Sequence, residues 1–481
     1  VPALRWVRKR KQRRAKDLAT RLHFHSQANH LLPRLVHIER HTSYHPTQPT
    51  LQRFQHRAKP LHATRHAIPL RKIYTGAIAT TSNPAFFLSA GEASGDHYGA
   101  QIITELTRRH PGSNFFGLGG REMESAGQER IVRAEDVAHM GITEVIRHAP
   151  RVYGSYRRLV ASIKQRRPSA AVLIDFPDVN LRLARELKAL NIPVVYFVSP
   201  QLWAWKRRRL RWVQQRVDRM MVIFPFEEPF YRNRNVNATF TGHPLAELPL
   251  PTTTREDYAS KADQFHQDQW NYVDRLAQSD PLPAWSFYKT IQGIRYSIDP
   301  SKPWIALLPG SRISEIRANL FDMVETAILL GNHYEYLVPV APTISPAVLE
   351  EMQAQTGEQL VGPNPPRITF VPDAREALHH ARASIVASGT ATVQAAVIGN
   401  PFVVVYRVSP LTFKLAKHLV HYPPEVWTDS PEAGLDQHGN LPIAMVNLIA
   451  GRRIVPELIQ DNFTPANVAQ ALRLLLDDTP Q

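Results

Sequence analysis

From residue 86 onward, short apolar runs alternate with stretches of helical periodicity, and few folds accommodate that alternation. Each apolar run is too short for a buried helix, and each intervening stretch is long enough to cross back over a sheet. The pattern therefore predicts successive βα units on mostly parallel sheets. Strands are expected at 86–89, 114–117, 171–175, 194–198, 220–224 and 239–241. A second series is expected at 304–308, 336–340, 368–371, 383–387 and 402–406. Each series reads as one Rossmann-like half, so the fold class is α/β. Between them, residues 251–302 are polar and carry Pro281, Pro283 and Pro300, as expected of a linker with an insertion. Its aromatics Trp270, Tyr272, Trp285, Phe287 and Tyr288 predict that part of it packs as an amphipathic helix. The expected division is 1–80, 81–250, 251–302 and 303–481.

The chain has 481 residues, enough for two domains with cores of their own. It has no cysteine, which excludes disulfides, thiolate metal sites and redox chemistry at a thiol. A net charge of +16 would suggest a polyanionic partner, but residues 1–80 hold 17 Lys and Arg against Asp17 and Glu39. The remaining residues carry about +1, so the folded body is not a nucleic-acid binder by overall charge. Segment 1–80 lacks sustained periodicity and is expected to be disordered. Its basic run fits a nucleic-acid arm, a transit peptide or a stretch outside the functional protein. No apolar run reaches the length needed to span a bilayer.

The chemistry-bearing motifs fall at strand ends. The turn Ala90-Gly91-Glu92-Ala93-Ser94-Gly95-Asp96 joins the first strand to a helix. Its glycine spacing fails the dinucleotide fingerprint, and Glu92 and Asp96 suit a hydroxyl-rich sugar better than phosphate. Asp175 closes an apolar strand and is followed by Phe176-Pro177-Asp178-Val179-Asn180. A carboxylate in that position should be desolvated, with raised proton affinity, as a general base for a sugar hydroxyl requires. Asp178 reads equally as a helix cap. Trp203 and Trp205 could stack on a sugar or hold a loop shut, and His243 in Gly242-His243-Pro244 could face the cleft. In the second half, Leu308-Pro309-Gly310-Ser311-Arg312 leads into a helix and presents an Arg to a diphosphate. The turn Ser388-Gly389-Thr390 adds small residues and hydroxyls at another helix start.

In this order, with Met140-Gly141-Ile142-Thr143-Glu144-Val145, Phe224-Pro225-Phe226-Glu227, Tyr406-Arg407, Leu415-Ala416-Lys417 and Asn447-Leu448-Ile449-Ala450-Gly451-Arg452, the motifs resemble the lipid-A-disaccharide synthase family over about 375 residues. The resemblance implies a B-type glycosyltransferase fold, two Rossmann-like domains facing across a cleft. The UDP-sugar would be held mainly by the second domain and the lipid acceptor by the first. It implies inverting transfer of 2,3-diacylglucosamine from its UDP form to 2,3-diacylglucosamine 1-phosphate, giving lipid A disaccharide 1-phosphate and UDP. No metal or cofactor is implied. Asp175 matches the essential acid and Arg312 the essential arginine. Glu92, Ser94, Asp96, Asp178, Trp203 and His243 become acceptor-side candidates, and Gly310, Ser311, Arg312, Ser388, Gly389, Thr390 and Gln394 the UDP site. Ile142, Val145 and Ile146, with Val152 and Leu159, match the family's apolar membrane-facing patch. A cytoplasmic enzyme peripheral to the inner membrane follows, and a homodimer is among the assemblies the resemblance admits.

Three departures accompany the match. Gln394 stands where the family usually has Glu, the insertion at 261–297 is longer than the family linker, and the chain stops at Gln481 short of the family's closing helices. The competing readings are a UDP-sugar epimerase of similar fold and an inactive UDP-binding homologue.

Overall fold

A computed structural model describes residues 83–138, 149–279, 298–342, 344–361, 363–427 and 434–477. In the first half the strands are β1 (Ala85–Ala90), β2 (Asn114–Gly119), β3 (Gln128–Arg133), β4 (Ala170–Ile174), β5 (Val194–Phe197), β6 (Arg219–Val222) and β7 (Ala238–Phe240). They form one sheet in the order β3-β2-β1-β4-β5-β6-β7, and every pairing is parallel. The second half has β8 (Trp304–Leu308), β9 (Glu335–Pro339), β10 (Arg367–Val371), β11 (Ala383–Ala387), β12 (Phe402–Tyr406) and β13 (Glu457–Ile459). These are also all parallel, in the order β10-β9-β8-β11-β12-β13. Strands buried on both faces by crossover helices are mostly apolar, and β8, β9 and β11 are buried at every residue, with Glu335 and Ser384 as polar exceptions. Both halves therefore have the doubly wound topology that the alternation predicted.

Two edge strands were not foreseen. β3 reads Gln-Glu-Arg-Ile-Val-Arg, with the charges of an edge rather than the apolar run of a centre. β13 has only three residues, and one of them is Glu457, 9% exposed. Its carboxylate accepts from the backbone N–H of Ala444 (2.8 Å), from Asn447 (2.9 Å) and from Arg453 (2.6 Å), so it ties the edge strand to the chain beside it.

Strand order reverses at β1/β4 in the first sheet and at β8/β11 in the second. In open α/β sheets ligands settle outside the carboxyl ends at that reversal. The register pairs Ala90 with Ile174, which sets the turn starting at Gly91 beside Asp175. Likewise Leu308 pairs with Val386, which sets Pro309–Arg312 beside Ser388–Thr390. The fold thus collects four of the candidate turns, those at Gly91, Asp175, Pro309 and Ser388, at two switch points.

Close packing at β1/β2 depends on Gly117. Its φ is +149°, and a Cβ there would lie 2.0 Å from the carbonyl oxygen of Leu88. Gly117→Ala is expected to destabilise the protein by about 3 kcal/mol or more, since the obstacle is backbone and cannot rotate away. Chemical denaturation measures this, and a loss below about 1 kcal/mol would show that the sheet relaxes there.

The segment expected as a linker opens with a 25-residue helix, Arg255–Ser279. Tyr258, Ala259 and Ala262 from it are buried with Trp304, Leu308 and Leu378 in the second half, and the Tyr258 hydroxyl donates to the carbonyl of Pro372. Residues 280–297, including Trp285, Phe287 and Tyr288, lie outside the described residues. Later in the chain, Val426, Trp427 and Leu448 are buried in the core of the first half, and Glu425 pairs with Arg234 at 2.9 Å. Sequence order and packing therefore diverge, because the chain of the second half returns to seal the first.

Candidate active site

At the first switch point the backbone leaves β4 through two consecutive left-handed residues, Asp175 (φ 43°) and Phe176 (φ 48°). Each costs about 1–3 kcal/mol and persists only where neighbours enforce it. The enforcing group is Asn180, wholly buried in the helix Pro177–Ala189. Its amide nitrogen donates to the carbonyls of Asp175 (2.7 Å), Ile174 (3.1 Å) and Ser89 (3.2 Å), and its oxygen accepts from the Ser89 hydroxyl (2.6 Å). The Tyr196 hydroxyl donates to the same Asp175 carbonyl at 2.5 Å. One side chain thereby joins the ends of β1 and β4 and sets the backbone from which the Asp175 carboxylate departs. Gly91 completes the turn, because a Cβ there would lie 2.5 Å from the Phe176 ring.

The Asp175 carboxyl titrates at about 6 rather than 3.8. Burial is the largest cause and the Glu92 charge adds to it. The Phe176 N–H and the Arg312 guanidinium pull the other way. A carboxylate so poised is ionised at neutral pH yet basic enough to receive a hydroxyl proton.

Asn180→Ala is expected to lower kcat by about 10–10²-fold with little change in KM, because it releases the Asp175 carbonyl without removing a group that meets substrate. It should also cost about 1–3 kcal/mol of stability from the orphaned carbonyls. Steady-state kinetics beside a thermal melt would test this; wild-type kcat in a folded variant would remove the positioning role.

The other first-half candidates separate. Glu92 and Ser94 are exposed at the start of the helix Ala93–Arg109, beside Asp175. Asp96, in the first turn of the same helix, has its carboxylate engaged by backbone groups. It is 7% exposed, and its carboxylate accepts from the N–H groups of Gly120 (2.7 Å), Glu122 (3.0 Å) and Met123 (3.1 Å), capping the helix Arg121–Ser125. Asp178 is exposed and paired with Arg209. Trp203 is 2% exposed and its indole donates to the buried Glu227 at 3.1 Å, so it holds the loop shut and offers no face to a sugar. His243 accepts from the N–H of Leu245 (3.2 Å) as cap of the helix Pro244–Glu247, and burial lowers its proton affinity. That helix packs against Thr390–Ile398 of the second half. Ile142, Val145 and Ile146 lie outside the described residues. Leu159, expected on the same apolar patch, is instead a core residue at 2% exposure.

At the second switch point, Gly310 (φ +120°) turns the chain into Arg312, the N-cap of the 18-residue helix Ile313–Leu330. The Arg312 side chain is 70% exposed and lies 3.3 Å from Glu315. Gly389 (φ +155°) caps the helix Thr390–Ile398 and has open space around it. The Ser388 N–H donates to the carbonyl of Val405 (3.0 Å), and Ser388 and Gln394 are half-buried beside the exposed Gly389 and Thr390. Two helix N-termini and a guanidinium thus converge on one edge, an arrangement suited to a diphosphate. Among the described residues no cluster of three or more His, Asp or Glu side chains is arranged to hold a metal ion.

Sequence reasoning did not assign roles to Asn180, Ser89, Tyr196 or Glu315. A signal existed for Asn180, because helical spacing aligns it with the buried Leu183, Ala184 and Leu187, where a polar residue needs a reason.

Two doubly wound parallel sheets in one chain give the architecture of the B-type glycosyltransferases, and the family match places the chain in that class. More narrowly, it belongs to the lipid-A-disaccharide synthase family of lipid A biosynthesis. The family model described as Lipid-A-disaccharide synthetase matches residues 86–269 and 288–481. The chain is 51% identical over 402 residues to the lipid-A-disaccharide synthase of Acidobacterium capsulatum, covering 82% of this chain and 88% of that one. It is 45% identical over 395 residues to that of Koribacter versatilis, with the same coverage. Against that of Myxococcus xanthus the identity is 36% over 397 residues, again with this coverage.

Proposed function

We propose that this chain transfers 2,3-diacylglucosamine from its UDP form to the 6-hydroxyl of 2,3-diacylglucosamine 1-phosphate, inverting the anomeric carbon. Residues 81–250 take the lipid acceptor and residues 303–481 the UDP-sugar. Asp175 removes the hydroxyl proton as the acceptor oxygen bonds to the anomeric carbon. The bond from that carbon to the diphosphate breaks with its electron pair, and UDP departs with the added charge facing Arg312. A single displacement from the opposite face inverts the centre. Glu92 and Ser94 lie where they can hydrogen-bond the acceptor. Gly310, Ser311, Ser388, Gly389, Thr390 and Gln394 surround the nucleotide, with the Gln394 amide replacing a carboxylate as acceptor for a nucleotide hydroxyl.

What supports this reading most is topology: Asp175 and Arg312 each leave a central strand at the point where strand order reverses in a parallel sheet, and the Arg312 charge favours the ionised form of Asp175. Among the described residues no helix is long and apolar enough to cross a membrane. With diacyl substrates the protein would work in the cytoplasm at the inner-membrane surface.

The test follows UDP release from UDP-diacylglucosamine. Release is expected only when the lipid monophosphate acceptor is present, at least about 10²-fold above release to water. Equal release without acceptor would point to a hydrolase, and interconversion of the UDP-sugar to an epimer would overturn the transfer reading.

A further inference from the structure

The helix Pro410–Leu419 has its amphipathic pattern reversed for a surface helix. Phe413, Ala416 and the following Val420 are half-buried on its inner side, while Leu411, Leu415 and Leu419, spaced four apart, form an outward stripe. Their exposures are 79%, 57% and 54%. Lys414 and His418 border the stripe on one side, and Lys417 follows round the helix. Helix propensity does not require leucine at those positions, and an exposed leucine row is unfavourable unless something covers it.

A second element adjoins it. The loop after β5 brings Trp205, 43% exposed, with the Lys206 ammonium 4.0 Å above its ring. The His421 N–H donates to the Ala204 carbonyl (3.2 Å), and Arg207 donates to the His421 carbonyl, so this loop lies against the end of the leucine helix. Residues 199–212 and 409–424 contain no Asp or Glu, yet they hold Lys206, Arg207, Arg208, Arg209, Arg211, Lys414 and Lys417. Arg209 pairs with Asp178, and Lys417 also donates to the His438 carbonyl (3.2 Å). The strands β5 and β12 that lead into these segments belong to parallel sheets, so the patch sits at the carboxyl edges, on the rim of the site.

We propose that this leucine, tryptophan and lysine-arginine face docks on an anionic bilayer surface. Leucines and an indole at the acyl boundary with cations at headgroup level are what such an interface selects. The occupant is set by charge as well as by apolar area, since a second copy would bring its own uncompensated cations to the contact. Docking here deepens the lipid-substrate reading, on which it rests for its purpose: the active-site rim would face the surface that supplies the acceptor.

Because the chain has no cysteine, single labelling sites can be introduced at will. Leu411→Cys, Leu415→Cys and, near the opposite edge of the second sheet, Glu358→Cys would each carry a polarity-sensitive thiol probe. The full-length chain is mixed with phosphatidylglycerol–phosphatidylcholine vesicles containing doxyl lipid. Quenching by about twofold or more is expected at 411 and 415 and none at 358, with little at any site on pure phosphatidylcholine. This readout is local, so adsorption of the basic residues 1–80 cannot imitate it. Leu411→Ser combined with Leu415→Ser and Leu419→Ser should lower vesicle partitioning by about tenfold or more, with the melting temperature and turnover of detergent-dispersed substrate unchanged. Absent or equal quenching at all three sites, or unaltered partitioning of the triple variant, would overturn the proposal. Loss of self-association by light scattering with partitioning intact would assign the face to a second copy instead. If detergent-dispersed substrate is not turned over by either protein, the transferase reading fails while the docking result stands.

Discussion

Asp175→Asn is expected to lower kcat by about 10²–10⁴-fold, the range lost when a positioned general base is removed. The replacement keeps the size of the side chain and leaves the Asn180 and Tyr196 bonds untouched, since both go to the backbone carbonyl. The variant should therefore fold normally, and the loss should be chemical. The pH dependence supplies the sharper signature. A base acts in its ionised form, so wild-type kcat/KM should fall as pH drops below about 6, tenfold per unit, where an ordinary aspartate would hold activity to about 3.8. In Asp175→Asn that acid limb should vanish from the residual activity. Glu92→Gln should move the limb to lower pH, because the Glu92 charge is the second cause of the raised proton affinity. An acid limb unchanged in Asp175→Asn would assign the titration to another group.

Arg312→Ala should lower kcat/KM by about 10²–10³-fold, the loss typical of removing one preorganised group from developing negative charge. Arg312→Lys should recover only part, since an ammonium lacks the planar pair of donors that fits a diphosphate. The same substitution has a second consequence. Arg312 lowers the proton affinity of Asp175, so its removal should shift the acid limb of kcat/KM to higher pH. The shift should be modest because Arg312 is largely exposed and its charge is screened by solvent. A static limb together with lost activity would mean that the two groups do not communicate across the site. Recovery of full activity by lysine would make Arg312 a simple counter-charge.

Local pattern made most of the scaffold legible. All eleven strands expected from apolar runs appear, three of them with identical bounds, because a strand covered on both faces is mostly apolar and short whatever packs on it. The two unforeseen strands, β3 and β13, lie at sheet edges, where solvent or a neighbouring carboxylate replaces apolar cover and the local signal disappears. Asp175 and Arg312 were marked by residue type at strand ends, a rule about position that needs no knowledge of the partner sheet.

Other assignments depended on where a side chain points and what meets it. Asp96 and Trp203 stand in motifs beside the site, yet one caps a helix 24 residues away and the other closes on Glu227. Asn180 has no assigned role in the sequence, because only the reversal of strand order brings Ser89, 91 positions earlier, against it.

The amino-acid order by itself determined two doubly wound sheets and the chemical kinds of group at their carboxyl ends, since periodicity and residue type act over a few positions. Only the tertiary structure decided which of those groups remain open to a ligand, how far the Asp175 carboxyl is shifted, and that residues 420–427 seal the opposite half. Burial and charge are summed over neighbours distant in the chain, and no local window contains them.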